Sequence, residues 1–65
     1  MKLVTKGEWD QMEPRAQGYV LYMQSAHPGS ELADVENPYG HGSRSYYLFL
    51  AGERMAVLEA QDGEE

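Results

Sequence analysis

The chain has 65 residues, 11 of them acidic and five basic, for a formal net charge of −6, and it contains no cysteine. A chain this short makes one domain at most and buries only about 60% of the surface its unfolded form exposes, so its core is small and its stability marginal. The missing cysteines exclude disulfides and thiolate metal sites, and the scatter of the few cations, Lys2, Lys6, Arg15, Arg44 and Arg54, disfavours direct DNA or RNA binding, which draws on clustered Lys and Arg.

The opening residues Met1-Lys2-Leu3-Val4-Thr5 have no apolar signal core behind the lysine, and no apolar run approaches the roughly 18 residues of a membrane span. A cytoplasmic protein with no membrane partner is expected. The acidic balance suits solubility, and it also suits a basic protein partner.

Thr5 and Glu8 have capping-box spacing, and Val4 before the cap is placed to staple onto Trp9. A first helix over about 6–12 follows. Pro14 ends it and opens a second helix over about 14–26, because a proline ring disfavours helix before it yet fits a first turn. In that second helix Ala16, Tyr19, Val20 and Met23 fall at i, i+3, i+4 and i+7 and predict one apolar face. His27-Pro28-Gly29-Ser30 stops the helix, and residues 27–43 read as a mobile linker in which only Leu32, Ala33 and Val35 of the stretch 31–36 are apolar.

Within the linker, Asn37-Pro38-Tyr39-Gly40-His41-Gly42-Ser43 breaks regular structure completely. Pro38 fixes its own φ, Gly40 and Gly42 permit unusual backbone angles, and Ser43 is poised to cap a third helix over about 44–61. That helix carries two stripes, Phe49-Gly52-Ala56-Ala60 and Tyr47-Ala51-Met55-Leu58. The first is mostly small and predicts a close helix neighbour. The second predicts a face that a short partner helix leaves uncovered, and hence a weak homodimer. The acidic tail 62–65 is expected to fray, since acids sit poorly at a helix C-terminus.

The expected fold is therefore mostly α, a short helix followed by two packed helices joined by a Pro/Gly-rich loop. The rival is an α+β fold with a three-stranded antiparallel sheet. Its strands would be Tyr46–Leu50 and Met55–Glu59, with a third from the segment around Gly18–Met23, but neither run alternates cleanly and no Asn-Gly or Asp-Gly turn joins them.

Catalytic chemistry finds little support in the residues. His27 and His41 with Glu31, Asp34 or Glu36 would give two nitrogens and a carboxylate, yet neither histidine has a helical i, i+4 mate, and no metal or cofactor is expected. Ser25, Ser30, Ser43 and Ser45 lie beside helix ends or turns and read as caps rather than nucleophiles. Gly40-His41-Gly42-Ser43 lacks the lysine and length of a phosphate-binding loop. Trp9, Tyr19 and Phe49 are assigned to the core, and Tyr22, Tyr39 and Tyr46 to contact with a partner, joined by Tyr47, Met55 and Leu58 of the second stripe.

Gly18-Tyr19, then Asn37-Pro38-Tyr39 with Gly42-Ser43, then Phe49 three residues before Gly52, resembles the ribosome modulation factor family and its wider Rmf/CrpP-like group of small bacterial and phage proteins, over about 15–56. The resemblance implies two helices joined by a loop holding the Pro-Tyr pair, with Gly18, Tyr19, Pro38, Tyr39, Phe49 and Gly52 as packing positions. It also implies ribosome-associated translation modulation and, more distantly, small-molecule phosphotransfer. The family's ribosome binding rests on a strongly basic chain, whereas this one is acidic, closer to the phage and prophage branch. The leading expectation is a non-enzymatic protein-interaction module.

Overall fold

The computed structural model describes residues 3–62. They form three helices, α1 (Lys6–Asp10), α2 (Pro14–Gln24) and α3 (Arg44–Asp62), with no strand among the described residues. The helical expectation holds, and the three-stranded alternative does not describe this chain. Of the expected tail, Asp62 closes α3 and residues 63–65 lie outside the described residues.

Local chemistry sets the first two helices. The Thr5 hydroxyl accepts the Glu8 amide at 3.1 Å while the Glu8 carboxylate accepts the Thr5 amide at 3.1 Å, the reciprocal capping box. Val4 packs against the cluster that contains Trp9. The helix stops at Asp10, two residues earlier than its spacing predicts, because the Gln11 and Met12 amides close short three-residue turns onto Glu8 and Trp9. Pro14 then starts α2 at N1. The second helix also ends early, at Gln24 rather than 26, where the Ser25 amide makes the last helical bond to Leu21. A turn from His27 to Ser30 follows, with Pro28 and then Gly29 at φ +82°, the residues a type II turn demands.

Gly18 and Gly52 decide how α2 and α3 cross. A Cβ added at Gly18 would run into the Phe49 carbonyl oxygen and lie 3.1 Å from the Glu53 nitrogen; one added at Gly52 would run into the Arg15 carbonyl oxygen and lie 3.0 Å from the Tyr19 nitrogen. Each glycine therefore lets the opposite backbone approach, and its own Hα is directed at a carbonyl, the arrangement of weak Cα–H···O contacts at close helix crossings. Phe49, Gly52 and Ala56 are buried along this seam, as the first stripe predicts.

Placing Gly18 against α3 rotates α2 away from its expected face. The buried positions are Gln17, Gly18, Leu21 and Gln24, whereas Met23 is exposed and Ala16, Tyr19 and Val20 are only half-buried. Apolar spacing alone misassigned this helix, because the closest approach is made by a residue without a side chain and two glutamines accompany it inward.

The core consists of Trp9, Leu21, Leu32 and Phe49, with Val4, Met12, Val20, Val35 and Tyr39 packed around it. Leu32 corrects the linker reading: it is 0% exposed. The Ser30 hydroxyl holds the Leu32 amide at 3.1 Å, and the Glu31 carboxylate accepts the Lys6 amide at 3.0 Å, satisfying one of the donors a helix start leaves over. Residues 31–36 thus form the lid of the core and a cap for α1.

Candidate functional site

The loop that breaks regular structure is a brace. The Asn37 carboxamide oxygen accepts the Tyr39 amide at 3.0 Å, an Asx turn, while its nitrogen reaches the Tyr46 carbonyl at 3.4 Å. Gly42 takes φ +87°, and the Ser43 hydroxyl accepts the Tyr46 amide at 3.1 Å while donating to the Gly40 carbonyl at 2.8 Å. The start of α3 is thereby fixed to the loop on both sides.

Tyr39 enters the core from this loop. Its ring meets Phe49 edge-on at 6.4 Å, Trp9 meets Phe49 likewise at 6.1 Å, and the Tyr39 hydroxyl donates to the Gln17 side-chain oxygen at 2.6 Å. The Gln17 side chain also donates to the Trp9 carbonyl at 2.9 Å, and the Trp9 indole donates to the Gln17 carbonyl at 3.0 Å. Every polar atom of this network has a partner, so it costs little to bury and fixes the geometry of α1, α2 and the loop together. Gln24 plays a simpler part, accepting the Val4 amide at 2.8 Å.

Of the six packing positions implied by resemblance, Gly18, Tyr39, Phe49 and Gly52 come together inside. Pro38 is exposed, and Tyr19 is half-buried on the outside of the helix pair. The Tyr19 hydroxyl donates to the Glu59 carboxylate; that hydrogen bond, then desolvation, then the carboxylate charge hold the phenol above its ordinary range. Tyr39 was expected to meet a partner and is structural instead.

The remaining aromatic and apolar candidates lie outward. Tyr47 is 60% exposed, Met55 50% and Leu58 49%, and Tyr22 is exposed as well, while Tyr46 is half-buried. His41, Tyr46 and Tyr47 form an edge-on ladder with ring separations of 4.6 and 5.5 Å at the start of α3. The second stripe of α3 is therefore uncovered by the rest of the chain, and Leu50, 39% exposed, widens it. Between α2 and α3 a shallow hollow of about 300 Å³ is lined by Ala16, Tyr19, Val20 and Met55 with Glu13 and Arg15 at its rim. Among the described residues no group of three His, Cys, Asp or Glu side chains is placed to hold a metal, and no helix is long and apolar enough to cross a membrane.

Glu53 sits at the edge of the seam, and burial pushes its carboxyl up. A raised acid is a charge the folded state disfavours, so its cost is present above the carboxylate range and disappears as pH falls and the group protonates. Glu53→Gln is expected to raise the thermal midpoint modestly at pH 7, with the gain vanishing below the carboxylate range. A midpoint unchanged at pH 7 would show that Glu53 is fully solvated.

No protein-family model, no curated protein and no solved structure matches this chain, and the exposed face of α3 is characterised by its own geometry.

Proposed function

We propose that this protein is a non-enzymatic interaction module that presents the outer face of α3 to a protein partner in the cytoplasm. The exposure of Tyr47, Leu50, Met55 and Leu58 along one helix, in a chain whose core holds so few residues, carries this reading. Exposed apolar side chains gathered into a patch mark contact surfaces, whereas single ones need no explanation. The ribosome modulation factor-like pattern favours a phage or prophage accessory role, and its charge, opposite to that of the ribosome-binding members, favours protein over RNA as the partner.

Affinity capture from bacterial lysate, with and without nuclease, tests the reading when wild type and Leu58→Glu are compared. One stoichiometric protein is expected on wild type in both eluates and is lost from Leu58→Glu, whose circular dichroism should remain native because the position is exposed. Ribosomal proteins dominating only the nuclease-free eluate would replace this reading with translation modulation. Equal capture by both variants would remove α3 from the site.

A further inference from the structure

We infer that α1 and the lid over the core form a single cover, residues 3–12 together with 31–36, which opens as one unit from the α2·α3 pair while that pair stays folded. Opening of this kind is independent of what the α3 face binds.

The cover and the pair are held by different physics. α2 and α3 run against each other, backbone on backbone, along the crossing at Gly18 and Gly52, whereas among the described residues the backbone of α1 approaches that of α2 sparsely and that of α3 not at all. No backbone–backbone hydrogen bond among the described residues joins the cover to either long helix. The bonds that do cross use side chains: the Val4 amide donates to Gln24, and Trp9 and Gln17 exchange bonds in both directions. Apolar packing supplies the rest, with Trp9 and Leu32 in the cluster that holds Leu21 and Phe49. A segment tied down in this way opens at lower cost than one built into a helix pair.

The two parts of the cover depend on each other. α1 has five residues, too few for a helix to hold itself, and its Lys6 amide is accepted at 3.0 Å by the Glu31 carboxylate of the lid. The lid has short bonds of its own, from the Leu32 amide to the Ser30 hydroxyl at 3.1 Å and from the Val35 amide to the Leu32 carbonyl at 3.2 Å, and it reaches a helix through Glu31. Leu32 and Trp9 share one cluster, so losing either half uncovers the other. The ends of the lid are places where the chain can swing: Gly29 at φ +82° before it and the Asx turn of Asn37 after it. Beyond that turn Tyr39 stays with the pair through Phe49 and Gln17.

Native-state amide exchange on the full chain tests this. The amides of Trp9, Gln11, Met12, Leu32 and Val35 are expected to agree in protection within about threefold and to fall at least about tenfold below amides inside α2 and α3 such as those of Leu21 and Ala56. Thr5→Ala, which removes the side-chain cap of α1 at an exposed position, reads the coupling. Exchange at Leu32 and Val35 should quicken by roughly 3–10-fold, as much as at Trp9 and Met12, with α2 and α3 unchanged. Glu31→Ala, also at an exposed position, should quicken Trp9 and Met12 as much as Leu32. Acceleration confined to α1 in Thr5→Ala would mean that the helix frays alone. Equal acceleration throughout α2 and α3, or equal protection of all these amides in the wild type, would mean that the chain opens only as a whole. Each of these results overturns the single cover.

Discussion

Leu32→Ala is expected to lower the stability by about 2–5 kcal/mol, the range for emptying a fully buried leucine site. A domain of 65 residues has on the order of 3–10 kcal/mol in total, so the loss is a large share of the whole. The size of the loss follows from position: Leu32 is one of three large side chains with essentially no exposure, alongside Trp9 and Phe49. Urea denaturation followed by fluorescence of Trp9, the single tryptophan and itself buried, measures it directly. Ala33→Ser at the exposed neighbouring position should shift the midpoint little. A Leu32→Ala loss below about 0.5 kcal/mol, the level of ordinary surface changes, would mean that residues 31–36 do not close the core.

Gly52→Leu should lower the stability by at least the roughly 1–3 kcal/mol typical of overpacking, because the obstacle is backbone. A Cβ at Gly52 meets the Arg15 carbonyl, with the carbonyl carbon 2.8 Å away, and the opposite helix cannot turn a side chain aside to make room. Gly52→Ala and Gly18→Ala should already destabilise for the same reason. At an exposed helical glycine the sign reverses, since alanine gains roughly 1 kcal/mol over glycine in a helix interior. Thermal melts of the two alanine variants therefore decide the matter by direction: a raised midpoint for either would place that glycine outside the crossing.

Signals that act over a few residues were legible in the sequence. Thr5 and Glu8 announced the capping box, Pro14 the restart, Ser43 the cap of α3, and Phe49-Gly52-Ala56 the inward stripe. The outward stripe was legible too, since Tyr47, Met55 and Leu58 fall on one face at helical spacing and are exposed. These are properties of one element, set by dihedral preference, local hydrogen bonding and periodicity.

Only the tertiary structure decided which way α2 turned and what covered the core. Gln17 and Gln24 give no inward signal in the sequence because burial of an amide is unfavourable until specific partners exist, and those partners, Trp9, Tyr39 and Val4, come from separate segments. Leu32 looked like linker because a single apolar side chain amid acids has no period to reveal it. Likewise Arg15 came to share a hollow with Met55 of α3 only through the crossing at Gly18 and Gly52. A residue without a side chain leaves no hydrophobic signal in the sequence, yet by letting two backbones touch it fixed the rotation of both helices and, with it, the faces they bury and expose.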